Sequence, residues 1–167
     1  HAYFVKANKV IKDADGNIQN GSTYYFYGPA SGTMQKKFYC ENTTADSLVV
    51  NVKRYETSVQ ANTSNFFCWG LCFNPDTVGA HPLWIMTEDI NMAPGEEYDD
   101  FAAYHQPDGN VGVSCFLYVW YDVANPNDSA WVNICFDSET VGIESNEFVS
   151  DLNVYPNPSL GSVNFDI

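Results

Sequence analysis

Apolar and polar positions along this chain recur with a period of two, in short runs bounded by turn-forming residues. In "MQKKFYCENTTADSLVVNVKRYE" the pattern predicts a strand ending at Glu41, a turn over "NTTADS", and a second strand from Leu48 to about Tyr55. Upstream, "KDADGNIQNGSTYYFYG" offers Asp-Gly and Asn-Gly, which tolerate the positive φ of hairpin loops, followed by an aromatic run suited to a strand. "FFCWGLCF" is too short and too glycine-interrupted for a helix, and reads as a strand or tight loop near a sheet end. From Trp84 the order is strand, Pro-Gly turn, strand, Pro-Asp-Gly turn, long strand, Asn-Pro-Asn-Asp turn, strand. No segment sustains the 3.6-residue period of an amphipathic helix, so the expected fold is all-β, an antiparallel β-sandwich.

"SCFLYVWYD" and "AWVNICFD" carry a large residue at almost every position, as a central strand covered or half covered on both faces requires. With Trp 4, Tyr 11 and Phe 11, the chain fills a core of this size easily. A length of 167 residues suits one domain and a tail. The sandwich is placed over residues 1–140, a polar, acidic linker over 141–150, and a distinct segment over 151–167. No apolar run reaches the roughly 18 residues of a membrane-spanning helix, and the N-terminus shows no signal-peptide pattern, so either export is absent or a signal has been removed.

Charge narrows the partners. The net charge is −14, and every Lys and Arg lies at or before Arg54. Only four of the 21 acids precede Tyr55, so the remaining 17 meet no basic residue over the rest of the chain. Nucleic acid and anionic membrane are therefore poor partners. Five cysteines, Cys40, Cys68, Cys72, Cys115 and Cys135, allow two pairs and one leftover thiol. The Cys68 to Cys72 spacing, with a glycine inside, points to a short-loop disulfide; Cys40, Cys115 and Cys135 each lie in apolar runs, and their pairing stays open.

Candidate chemistry is sparse. "DADGN" (Asp13, Asp15, Asn17) resembles the opening of a calcium loop but lacks the later bidentate Glu, and a hairpin turn is the expectation. Glu96, Glu97, Asp99 and Asp100 gather in "EEYDD", yet alternate faces on a strand would keep the four carboxylates from converging. Asp128 is read as a turn residue. A copper reading pairs the α-amine and imidazole of His1 with His81 or His105. Neither "GVSCF" nor "NGSTY" has nucleophile-elbow glycine spacing, and no Lys base or Arg clamp exists beyond Arg54. No catalytic residue, metal or cofactor is expected. Exposed rings on a strand form carbohydrate platforms, and "YYFYGP" and Trp84 are the candidates for one.

The tail, "LNVYPNPSLGSVNFDI", sets two prolines around Asn157 and a glycine at 161. The prolines stiffen an extended segment and preset a bend into "SVNFDI", a strand without partner strands left in the chain, which is expected to be disordered or to add to another edge or chain. Tyr155, Pro156, Asn157, Pro158, Ser159 and Gly161 resemble, residue by residue, the opening of the C-terminal sorting domain of the type nine, or Por, secretion system. The chain stops without that domain's later basic and glycine-containing motif, so the sorting domain looks truncated. The resemblance implies export across the outer membrane of a diderm bacterium with the signal peptide lost, contact with the outer-membrane secretion machinery and its sortase, and a secreted or outer-surface-anchored location. In the body, "FYCENTTADSLVVNVKRYE", "FCWGLCF", "APGEEYDDFAAYHQPDGNVG" and "DVANPNDSAWVNICF" resemble, in that order, an immunoglobulin-like domain found upstream of such sorting domains. That resemblance carries no enzymatic activity. It implies a binding, adhesion or assembly role, toward a glycan or surface protein.

Overall fold

A computed structural model describes residues 8–140, 154–156 and 163–165. Every regular element among them is a strand: β1 (Lys9–Lys12), β2 (Ser22–Pro29), β3 (Met34–Asn42), β4 (Leu48–Ser58), β5 (Ser64–Trp69), β6 (Leu71–Cys72), β7 (Asp76–Thr77), β8 (Leu83–Ile85), β9 (Ile90–Met92), β10 (Glu97–Gln106), β11 (Gly112–Asp122), β12 (Ser129–Glu139), β13 (Val154–Pro156) and β14 (Val163–Phe165). The turns fall where the Gly, Asn and Asp clusters stand. Asp108 and Gly109, for example, adopt φ of 52° and 85° between β10 and β11.

Two six-stranded sheets form the sandwich. The first runs β1-β3-β10-β5-β6, with β7 on β5; the second runs β2-β12-β11-β4-β8, with β9 on β4. This is the ABED and GFC ordering of immunoglobulin-like domains, with β2 added at the GFC edge. The pairing is antiparallel apart from β2, which lies parallel to β12. Turn residues report hairpins between consecutive strands. They are silent on a strand that leaves the first sheet and joins the free edge of the second, where the last strand already fixes the direction.

Aromatic side chains from both inner faces interlock. Phe67 of β5 and Phe101 of β10 meet Tyr118 of β11 edge to face, at 5.5 and 5.2 Å between centroids, and Phe101 also meets Trp120 at 4.7 Å. Such tilted contacts add to the stabilisation from apolar burial. Phe38, Phe116, Phe136, Val52, Val132 and Ile134 complete the dry interior.

Two disulfides tie neighbouring strands directly across the ladder: Cys68 to Cys72 on β5 and β6, and Cys115 to Cys135 on β11 and β12, both with Cα atoms 4.0 Å apart. Cys40 on β3 is a free thiol enclosed in the core, and burial pushes it up to about 12. Disulfides of this kind belong to oxidising, extracytoplasmic compartments. Gly70 closes the β5–β6 hairpin at φ 75°, where a β-carbon would come 2.9 Å from Ile90 Cδ1.

The tail corrects one expectation. Val154, Tyr155 and Pro156 pair with Phe165, Asn164 and Val163 in a two-stranded antiparallel sheet of their own, so "SVNFDI" does have a partner. Both strands of such a ribbon are edges, which tolerate a proline without a ladder donor. Asn157, Pro158 and Gly161 of the sorting motif lie outside the described residues, as does the linker 141–150.

Candidate functional site

The two outer faces of the sandwich differ in chemistry. On the first sheet, Lys12 is bonded to Glu41 and, at 3.2 Å, to Glu97, and Gln35 donates to the Tyr104 hydroxyl at 2.8 Å. Hydrogen bonds that Lys12 donates to Glu41 and Glu97 raise its pKa. Lys37 and Tyr39 share the same outward register on β3. Phe66 stacks on Tyr104 on the same face, with ring centroids 4.3 Å apart, so cross-strand pairs there are both polar and aromatic.

The outer face of the second sheet is aromatic and aliphatic. Alternation along β2 turns Tyr24 and Phe26 inward and Tyr25 and Tyr27 outward. On β12 it turns Val132 and Ile134 inward and Trp131 outward. Tyr25, Tyr27 and Trp131 keep 52%, 60% and 42% of their surface in solvent. The register lays these residues out in rows. Tyr27, Asp137 and Val113 form one row, Tyr25, Cys135 and Cys115 the next, then Thr23, Asn133, Leu117, Tyr55 and Leu83, and finally Trp131, Val119, Lys53 and Ile85. Lys53 is the cation on these rows, and its ammonium lies 5.1 Å from the Tyr121 ring centroid and 5.8 Å from that of Tyr55. Rings and aliphatics on these rows alternate with polar side chains, Thr23, Asn133 and Asp137 among them.

Of the two platform candidates, "YYFYGP" contributes its Tyr25 and Tyr27, while Trp84 belongs elsewhere. The Trp84 indole stacks on Phe73 and His81, with ring centroids 4.4 and 4.3 Å away, and the buried Arg54 guanidinium lies 5.4 Å from it. Arg54 donates to the His81 carbonyl at 2.9 Å and pairs with Glu56 at 3.4 Å, while Glu56 accepts from the Gly79 amide. Burial lowers the Arg54 pKa, against the charges of Tyr118 and Glu56. This group pins the 78–82 segment to β4. Trp131 was missed because "AWVNICFD" reads as large residues throughout; its position between the small Ala130 and inward Val132 was the usable signal.

The metal candidates resolve into structural roles. Asp13 Oδ1 accepts from the Asp15 and Asn17 amides, and Oδ2 from the side chains of Asn17 and Gln19, so its oxygens close the turn. Burial acts to raise its pKa, but these hydrogen bonds outweigh it and hold the carboxyl low. In "EEYDD" the expected alternation fails: the ladder shifts register between Tyr98 and Phe101, and Asp99 and Asp100 are both exposed. A bulge adds a residue to one strand and resets which way the next side chain points. Glu96 turns back to the Ala93 amide at 2.7 Å, and Glu97 reaches Lys12. Burial and then the charges of Asp100, Asp99, Glu88 and Glu96 raise the Tyr98 pKa. His1 lies outside the described residues. His81 faces Asp76 at 3.0 Å, and His105 is buried between Phe116 and Phe136. Among the described residues, no three His, Cys, Asp or Glu side chains come together to hold a metal ion.

The fold is that of an immunoglobulin-like β-sandwich, with more exposed rings and aliphatics on the outer face of the second sheet than on that of the first. Among solved structures the chain is similar to the N-terminal domain of PorA, with a TM-score of 0.57 and 23% identity, covering 78% of this chain and 97% of that one. It is also similar in fold to part of a family 123 glycoside hydrolase from Clostridium perfringens, with a TM-score of 0.52 and 9% identity, covering 80% of this chain and 27% of the enzyme. No family model and no curated protein matches the sequence.

Proposed function

We propose that this chain is a non-catalytic, extracytoplasmic recognition module, delivered through the type nine secretion route, that binds its partner with the outer face of the second sheet. The observation that carries the reading is the contrast between the two outer faces. Both sheets need only one dry face to fold; the first pairs its outward charges and stacks Phe66 on Tyr104, whereas the second keeps Tyr25, Tyr27, Trp131, Leu83 and Ile85 in solvent. Maintaining rings and aliphatics on a second face carries an aggregation risk that a binding role offsets.

Two supports bear on location. The disulfides belong to an oxidising compartment, and Tyr155 to Gly161 resemble the sorting motif read by the outer-membrane machinery and its sortase. Saturable binding of the purified chain to outer-surface extracts, lost in the Ile85→Asp variant but kept in Lys37→Ala, is the expected result. Equal binding by both variants would remove the face from the account. For delivery, deleting residues 151–167 from the protein as the cell makes it is expected to leave it inside the outer membrane; unchanged release would count against the sorting role.

A further inference from the structure

Resting on that recognition face, we propose that the ribbon of β2 and β12 binds a neutral polysaccharide, its chain lying along the two strands. Tyr25 and Tyr27 point outward two residues apart, a separation of about 6.5–7 Å along a strand, so each ring is free to take the C–H face of a separate sugar. Trp131 extends the line toward the start of β2. There the neighbouring residue is Gly21, at φ 71°, where a β-carbon would stand 3.8 Å from indole Cζ2, so the edge of the indole is left bare.

Polar groups lie between and beside these rings. Asp137 is opposite Tyr27 and Glu139 opposite Pro29. Neither carboxylate has a side-chain hydrogen bond or ion pair among the described residues, so both are free to accept from hydroxyl groups. Past Tyr27 the two strands end in a shallow cavity of about 310 Å³ lined by Gly28, Pro29, Glu139 and Thr140. That is the size of a small-ligand site, ample for a terminal sugar.

Charge selects among glycans. The β2–β12 ribbon presents two outward carboxylates and no outward cation: Lys36 lies against the inward rings Tyr24 and Phe26, and Lys53 is two strands away on β4. Uronic-acid or sulfated polymers laid along it therefore meet repulsion. A basic protein would satisfy the carboxylates, but the rings stand spaced along the strands with polar groups between them. That arrangement matches the alternating apolar and hydroxylated surface of a sugar chain better than a continuous apolar protein patch.

The test is affinity electrophoresis of the full chain through gels containing neutral polysaccharides (β-glucan, mannan, xylan, dextran) or acidic ones (alginate, pectate, heparin). Retardation by at least one neutral polymer is expected. At least tenfold weaker binding is expected for the Tyr25→Ala/Tyr27→Ala double variant and for Trp131→Ala, with unchanged circular dichroism, and no change for Lys37→Ala. Both tyrosines and Trp131 are exposed, so the substitutions leave the core intact. Absence of binding to every neutral polymer, binding to acidic polymers alone, or binding indifferent to the tyrosines would overturn the proposal, as would capture of a basic protein in place of any glycan. If the neutral panel is blank while binding to surface extracts still depends on Ile85, only the sugar assignment fails. If extract binding is also absent, the recognition face fails with it.

Discussion

Lys9 Nζ lies 2.8 Å from Asp128 Oδ1, with the lysine side chain fully buried and the aspartate partly exposed. Asn8 donates to the other carboxylate oxygen at 2.8 Å. The pair fastens β1, an edge strand of the first sheet, to the turn that leads into β12 of the second. Asp128 stands in its turn through its backbone, whose amide donates to the Asn125 carbonyl at 2.8 Å, but its side chain does not close that turn and instead joins the two sheets. Burial acts to raise the Asp128 pKa, but hydrogen bonds from Lys9 and Asn8 and the charge of Lys9 outweigh it and hold the carboxyl low. Replacing Asp128 with Ala strands a buried ammonium and is expected to cost about 2–4 kcal/mol in urea unfolding. The pair stabilises fully above the ordinary aspartate value of roughly 3.9 and is lost as pH falls through the depressed one. A loss under about 0.5 kcal/mol would show that Lys9 is neutralised in another way.

His105 gives the fold a second acid-sensitive point. Its ring is buried between Phe116 and Phe136, and burial lowers its pKa from 6.5 to about 4, with the Ser64 backbone and Asp108 opposing. The unfolded chain then takes up the proton at a higher pH than the folded one. Stability from a neutral His105 is whole above pH 6.5, declines as pH falls, and is exhausted below about 4. The full span is worth on the order of 3 kcal/mol. His105→Leu is expected to flatten the urea midpoint between pH 6.5 and 5, where carboxylates titrate little. An unchanged slope would mean that the imidazole reaches solvent.

The two disulfides are expected to differ in weight. Chain-entropy reasoning gives about 3 kcal/mol for Cys115 to Cys135, which closes a separation of 20, and about 2 kcal/mol for Cys68 to Cys72, which closes 4. Thermal unfolding of the two double Cys→Ala variants ranks them. A larger loss for the shorter loop would point to packing around Gly70 and Trp69 as the dominant effect.

Cys40 is expected to be inert in the folded protein. With its thiol enclosed and pushed up to about 12, the thiolate fraction at pH 8 is negligible. Iodoacetamide followed by mass spectrometry should find it unmodified in buffer and fully alkylated in denaturant. Rapid labelling of the native chain would indicate opening of the first sheet at β3.

The strands were legible because turn residues mark their ends, but of "NTTADS", "PDGN" and "NPND" only the last closes a hairpin, β11–β12; the first two carry the chain from the first sheet to the second. Three features were not. The parallel docking of β2 depends on a partner more than a hundred residues away, beyond any local signal. The bulge after Tyr98 adds a residue that period-two counting cannot register. The β13–β14 ribbon hides behind prolines that also read as a bend. At the site, Tyr25 and Tyr27 were visible as aromatic residues on a strand, but which of four consecutive rings faced outward was settled only by the pairing of β2. The interlock of Trp84 with Phe73, His81 and Arg54 is tertiary, and a lone tryptophan in a short strand gives no hint of it.

The recognition face is tested most directly by hydroxyl-radical footprinting of the full chain with and without outer-surface extract. Protection concentrated at Tyr25, Tyr27, Trp131 and Ile85, with Tyr39 and Tyr104 on the opposite face unchanged, is the predicted result. Protection centred on Tyr39 and Tyr104 instead, or on neither face at saturating extract, would contradict it.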